Sequence, residues 1–222
     1  MVICIPAKMG SEGVALKNLR DLGGYPLIMW TIAAARLLEL PTYIMTDGAD
    51  VMEQYGAMVT DVIMCEQKGD HYLINRLCDF LNDNPVVVYL RPSTPLRDIN
   101  TLKKAIDYFN QRGDLYSLRS AHPMTEPCGK MYAYKDIYIP ALGGTHDGAN
   151  RPRQELQQTY HPNGYIDIVK TERIAEGLFL ENFSLFVTEK MTEIDTEEDL
   201  EYAKYLVARY GHPLLDYIKA TL

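Results

Sequence analysis

Three stretches of this 222-residue chain carry residue types and spacings suited to chemistry on a phosphate. The first follows the N-terminal apolar run Val2 to Ile5: Pro6, Ala7, Lys8, Met9, Gly10, Ser11, Glu12, Gly13, then Leu16, Lys17 and Asn18. Glycines let backbone N–H groups approach an anion closely, and lysines balance its charge. The spacing is neither that of a P-loop nor that of a dinucleotide fold, and an ordinary glycine-bearing turn is the alternative use. The second is Glu193-Ile194-Asp195. In an extended segment residues i and i+2 face the same side, so two carboxylates suited to Mg²⁺ stand together. Alternatively, Asp195 or Thr196 caps a helix that begins near Glu197. The third is Arg91-Pro92-Ser93-Thr94-Pro95-Leu96-Arg97-Asp98, a proline-stiffened loop with two arginines and two hydroxyls.

The elements that must hold these stretches alternate. Val2 to Ile5 has the character of a buried parallel strand, which Pro6 is expected to stop because proline donates nothing to a ladder. Leu22-Gly23-Gly24-Tyr25-Pro26 is a turn feeding a helix rich in Leu, Ile and Ala that Pro41 ends. Thr42 to Met45 is a second strand with its turn at Thr46-Asp47-Gly48. A short helix (Asp50 to Tyr55), a third strand near Val59 to Met64 and a helix from Tyr72 to Leu81 follow. Pro85 to Leu90 is the clearest buried strand. Such alternation predicts an α/β fold with a parallel sheet covered on both faces, and ligands then sit beyond the carboxyl ends of the strands. Lys8, Lys17, Asp47 and residues 91–97 all fall there.

Beyond Asp114 the texture changes. Tyr116 to Ala121 reads as a strand. Prolines, glycines and aromatic alternation then predict short strands and an excursion over about residues 122–160 rather than another βαβ unit. Asn163-Gly164 is a turn signal, and an amphipathic helix runs to about Tyr210. The chain reads as one domain over residues 1–222. A formal charge of −8 argues against a nucleic-acid coat, while leaving room for a local basic pocket. Cys4, Cys65, Cys78 and Cys128 show no metal or redox spacing, and Cys4 and Cys78 fit buried thiols. With neither a signal peptide nor a membrane-spanning run, a cytoplasmic protein is expected.

Six segments, in order, resemble the CMP-sugar synthetases, the cytidylyltransferases that activate sialic and related nonulosonic acids with CTP. IPAKMGSEGVALKN resembles their opening I-P-A-R-x-G-S-K-G-x-x-x-K-N, and LGGYPLIMWTI their L-G-G-K-P-L-I-x-W-T-I. MTDGADV is similar to S-T-D-x-x-x-I, and RPSTPLRD to Q-P-T-S-P-L-R. RPRQEL…YHPNGYIDI resembles R-x-Q-x-L…Y-x-x-N-G-x-I-Y-I, and EIDTEEDLEYA resembles D-I-D-T-x-x-D-F-x-x-A. The resemblance implies a Rossmann-like, mostly parallel sheet flanked by helices. It also implies a dimerisation element in the middle segment, hence a homodimer. The reaction would be attack of an acidic sugar's anomeric hydroxyl on the α-phosphorus of CTP, with Mg²⁺.

Residue by residue, the resemblance implies nucleotide contacts from Ala7, Lys8, Gly10, Ser11, Lys17, Asn18 and Asp70, with Lys8, Lys17 and Asp195 catalytic. Asp195 and Glu193 would hold the metal, Glu193 standing where the family has aspartate. Arg91, Ser93, Arg97, Lys130, Arg153, Gln154, Asn163 and Gly164 would meet the acceptor. Arg91 replaces the family's glutamine, and an arginine there could grip a carboxylate or phosphonate bidentately. Asp167 replaces a tyrosine and reads as a solvent-facing strand residue. His161 stands where arginine is common, as a polar substrate contact; the other histidines read as surface residues. Glu12 replaces a loop lysine and sets a carboxylate beside the triphosphate. An eight-carbon 3-deoxy-ulosonic acid, a phosphonate acceptor, or a catalytically weak nucleotide-binding paralogue are the alternatives it leaves open.

Overall fold

The computed structural model describes residues 1–10, 13–135, 137–140, 145–179 and 182–221. The side chains of Ser11 and Glu12 lie outside them, so the expectations placed on those two residues are not addressed by the structure. Strand β1 (Val2–Ala7) is an inner strand of a seven-stranded sheet, and its side chains alternate between two cores. Ile3 and Ile5 face one core, whereas Val2 and Cys4 face the other, as the two-residue period of a strand requires.

From β1 the chain runs through a hairpin of β2 (Asp21–Leu22) and β3 (Tyr25–Pro26) into α1 (Leu27–Leu38), and then β4 (Thr42–Thr46). Helix α2 (Ala49–Tyr55), β5 (Asp61–Met64), α3 (Asp70–Leu81) and β6 (Val86–Tyr89) continue the alternation. Strands β4 and β5 stack parallel on one side of β1 and β6 on the other. Helix α4 (Ile99–Gln111) leads to β7 (Ser117–Pro123). The sheet order β11-β7-β10-β6-β1-β4-β5 places β10 (Tyr160–Lys170) between β7 and β6, antiparallel to both; β11 (Phe183–Val187) is parallel to β7. The expected α/β, mostly parallel architecture is therefore present.

Between β7 and β10 the chain leaves the main sheet for a hairpin of β8 (Tyr132–Lys135) and β9 (Ile137–Pro140) and the short α5 (His146–Ala149). It rejoins the sheet where Tyr160 pairs with Pro123. Helices α6 (Glu197–Tyr210) and α7 (Pro213–Thr221) close the chain.

One core gathers α1, α4, α6 and α7 on one sheet face; the other is built by Leu73, Ile74 and Leu77 of α3. Trp30 is fully buried, its indole N–H donating to the Leu22 carbonyl at 3.1 Å. Each such buried apolar side chain stabilises by about 1.5–3 kcal/mol, which fixes the strand ends that carry the polar loops.

Pro6 does not stop β1. The Cys4 carbonyl accepts from Leu90, so the Cys4 edge faces β6, and Pro6, two residues on, faces the same way. Pairing with β6 has already ended at Cys4, so the missing donor falls where no acceptor waits, and the ladder to β4 continues to Ala7.

Candidate functional site

At the carboxyl end of β1 the backbone turns around two anchors. The Met9 N–H donates to Asp47 Oδ1 at 2.8 Å, tying the loop to the turn after β4. The Asn18 amide donates to the Lys8 carbonyl at 2.7 Å. Asn18 is buried, so in this structure it shapes the loop from within rather than facing a ligand. Ala7 is likewise buried, while Lys8 and Gly10 are exposed at the rim.

Lys17 makes the connection that spans the molecule. Its ammonium donates to the Ile194 carbonyl at 2.7 Å and to Asp195 Oδ1 at 2.8 Å. The loop and the carboxylate pair are therefore one site. Gly13 is the point of closest approach: a Cβ there would lie 2.1 Å from the Asp195 carbonyl oxygen.

Of the two uses open to the acidic segment, the cap falls to Thr196, whose hydroxyl accepts from the Asp199 N–H while Asp199 reaches back to the Thr196 N–H. The Asp195 carboxylate is left out of the cap, 67% exposed and turned to Lys17. Glu193 is more enclosed. Burial, and then the neighbouring Asp195, hold its carboxyl above the ordinary 4.5, against the pull of Arg91, His161 and Lys17.

A carboxyl raised on folding contributes stability at pH below its ordinary value and loses it as pH climbs through the folded value. Glu193→Gln is therefore expected to be more stable than the parent at pH 7–8, with the gain vanishing below about pH 4. Its activity should fall by about 10-fold or more. Urea titrations at several pH values, alongside rate measurements, check both.

The loop after β6 departs most from expectation. Arg97 is 1% exposed: its Nε donates to the Tyr165 carbonyl at 2.9 Å and an Nη to the Arg91 carbonyl at 2.7 Å. Burial pushes its pKa down to about 9. It holds the loop and does not face a cleft. Arg91, expected to grip an acceptor, is itself gripped by Asp70 at 2.5 Å and Asp167 at 2.7 Å. Asp167, expected to face solvent, is buried, because two guanidiniums surround it. Asp70 also accepts from the Tyr89 hydroxyl at 2.8 Å, so its carboxylate serves these two residues rather than an open nucleotide site.

Ser93, half-buried, offers its carbonyl to the Ile194 N–H at 2.7 Å. Gly164, at φ +60°, lies against Glu193: a Cβ there would stand 2.8 Å from Oε1. The Asn163 amide donates to the Thr188 hydroxyl at 2.7 Å and so fixes that turn.

An open cleft of about 830 Å³ adjoins the carboxylates, with His122, His161, Asn163, Lys190, Glu193 and Asp199 among its lining residues. His122 and His161 are directly opposed on β7 and β10, ring centroids 5.5 Å apart. Sequence reasoning missed His122 and Lys190: His122 meets His161 only once β10 pairs with β7, and Lys190, just after β11, reaches the cleft only once β11 pairs with β7. Lys130 lies 3.6 Å from Glu126, a cleft residue. Arg153 and Gln154 are exposed on a single 3₁₀ turn of the excursion and do not line the cleft of this chain.

A mostly parallel sheet with a lysine-bearing glycine loop after its first strand, β1, defines a Rossmann-like α/β domain with an anion-competent edge. A family model described as Cytidylyltransferase matches residues 2–138, more than half of the chain. The chain belongs to the cytidylyltransferase family.

Among its relatives, an N-acylneuraminate cytidylyltransferase of Streptococcus agalactiae serotype III is 27% identical over 236 residues, covering 97% of this chain and 54% of that protein. A pseudaminic acid cytidylyltransferase of Campylobacter jejuni is also 27% identical, covering 91% of this chain and 94% of its own length. The chain thus spans about half the length of the first of these curated relatives and nearly all of the second. In fold it is similar to a CMP:2-keto-3-deoxy-manno-octonic acid synthetase complexed with CTP, at a TM-score of 0.71 and 16% identity, covering 94% of this chain and 98% of that one.

Proposed function

We propose that this chain transfers CMP from CTP to the anomeric hydroxyl of an acidic nonulosonic sugar. The anomeric oxygen bonds to the α-phosphorus, the α–β phosphoanhydride breaks, pyrophosphate leaves, and the hydroxyl proton passes to solvent. The observation that carries this reading is Lys17, bonded at once to the Ile194 carbonyl and the Asp195 carboxylate. It joins the glycine loop to the acidic segment at the strand ends, where a triphosphate would need both. Lys8 and Lys17 would neutralise the phosphates, and the backbone at Gly10 would approach them.

Glu193 and Asp195 would hold Mg²⁺. Among the described residues no three of His, Cys, Asp and Glu form a metal cluster. A two-carboxylate donor set suits Mg²⁺, which takes few protein ligands and completes its shell with water and substrate phosphates. The ion would supply further charge neutralisation on the triphosphate.

The relatives named for N-acylneuraminate and pseudaminic acid support a nine-carbon acid, and the cleft of about 830 Å³ is large enough for one. A 3-deoxy-octulosonic acid or a phosphonate are the other acceptors considered. Arg153 and Gln154 lie outside the cleft of this chain, and Met131, Tyr132 and Tyr134 are exposed on the excursion. This supports a homodimer through residues of about 122–160, which light scattering would register as twice the mass of one chain. Among the described residues no helix is long and apolar enough to cross a membrane, and the four cysteines are free. We place the protein in the cytoplasm on the thiols, which suit a reducing compartment.

The test is pyrophosphate release from CTP and Mg²⁺ with a panel of acidic sugars: N-acetylneuraminate, pseudaminate, a 3-deoxy-octulosonate and a phosphonate. Release with a nine-carbon acid is expected. CTP binding without release on any acceptor would instead identify a nucleotide-binding paralogue.

A further inference from the structure

We propose that Arg91 is a positioning residue, fastened by Asp70 and Asp167, that sets the placement of Glu193-Ile194-Asp195 through the backbone of its own loop. Arg91, in the loop after β6, and Asp167, on β10, both depart from the motifs the sequence resembles, and they are partners of each other. Arg91 donates to Asp167 Oδ2 at 2.7 Å and to Asp70 Oδ2 at 2.5 Å, with its guanidinium 4.9 Å from the Tyr89 ring centroid. Asp167, whose side chain is 3% exposed, also accepts from Arg119 Nε at 3.1 Å and from an Arg119 Nη at 3.2 Å. Arg119 in turn lies 4.0 Å over the Phe179 ring.

Two guanidiniums and two carboxylates thus form a neutral network across α3, the loop after β6, β10 and β7. Burial pulls the Arg91 guanidinium down, and Asp167 and Asp70 more than offset it, so it stays protonated. Each Nη of Arg91 already donates to a carboxylate and the side chain is only 19% exposed, so its charge is partnered within the fold.

The network reaches the site by bonds already in place. The Arg91 carbonyl takes an Nη of Arg97, which is fixed in turn to Tyr165. Two residues on, the Ser93 carbonyl takes the Ile194 N–H at 2.7 Å. The Ile194 carbonyl takes the Lys17 ammonium. A shift at Arg91 therefore moves the peptide between the two site carboxylates, and misplacement on the order of 1 Å at such a site costs about 10²-fold in rate.

Asp167→Asn tests this, with Arg91→Gln as the second variant should the buried change prevent folding. Backbone hydrogen exchange over residues 191–196 is read by mass spectrometry, and steady-state kinetics are measured with CTP and N-acetylneuraminate. Exchange of this segment is expected to speed up by about 10-fold or more, since a local opening sets it. The turnover number should fall about 10- to 100-fold, as for other residues that orient ligand-bearing groups, while KM for the sugar moves less than about threefold.

Parent-like exchange together with a raised sugar KM in Arg91→Gln would make Arg91 an acceptor contact and overturn the proposal. So would a lower melting temperature with unchanged exchange and turnover. The kinetic half rests on the proposed CMP transfer and the exchange half does not. Should the parent turn over no acceptor, exchange over 191–196 alone decides.

Discussion

Asp195→Ala is expected to lower the rate of pyrophosphate release by about 10³-fold, the loss expected when one of the two carboxylates proposed to hold Mg²⁺ is removed, since such an ion supplies several kcal/mol of charge stabilisation. Little stability should go with it. Asp195 is 67% exposed, and a surface ion pair contributes only about 0–1 kcal/mol. The helix start does not depend on its carboxylate, because Thr196 and Asp199 make the cap. Lys17 keeps its bond to the Ile194 carbonyl. A melting temperature within about 4 °C of the parent would accompany the loss, given that 1 kcal/mol moves a chain of this size by about 2–4 °C. Near-normal turnover in Asp195→Ala would remove this carboxylate from the chemistry.

The second large effect is expected at a residue with no functional group. Gly13→Ala places a methyl 2.1 Å from the Asp195 carbonyl oxygen, a backbone atom that no rotamer change can move aside. Either the loop or the 193–195 segment must withdraw, and the Lys17 contacts stretch with it. Overpacking of this kind costs about 1–3 kcal/mol, and the displacement should cost about 10²-fold in activity. Gly113→Ala is the control, since its Cβ would meet nothing within 4 Å. Denaturant unfolding and CTP-dependent kinetics on the two variants separate the local clash from a general effect of replacing glycine. Equal activity in both would mean that the close approach at Gly13 does not set the site.

Much of this arrangement is written in local patterns. The apolar alternation of β1, the helix rich in Leu, Ile and Ala after Pro26 and the valine run of β6 announce themselves through period and composition, and they placed Lys8, Lys17 and residues 91–98 at strand ends. Partners distant in sequence are less legible. Lys17 and Asp195 lie 178 positions apart, so their contact exists only after the sheet forms. Asp167 reads as an outward strand residue until β10 inserts between β6 and β7 and two arginines close over it. Arg97 reads as a ligand group because arginine is seldom buried. The carbonyls of Tyr165, Arg91 and Gly164 and the Thr31 hydroxyl make its burial tolerable. Asn18 misleads in the same way: a polar side chain beside a phosphate loop turns inward to bond the Lys8 carbonyl. Pro6 misleads in the other direction, since the rule against proline in a ladder holds only for an edge that still has a neighbour.

The measurement that bears most directly on the proposed activity is ³¹P NMR of the protein with CTP, Mg²⁺ and N-acetylneuraminate, repeated with each other acid of the panel. For one nine-carbon acid, the three CTP resonances should give way to a single phosphodiester resonance of a CMP-sugar and to an equal amount of pyrophosphate. Unchanged CTP with every acid, or hydrolysis to CMP without a sugar adduct, would contradict CMP transfer as the activity of this chain.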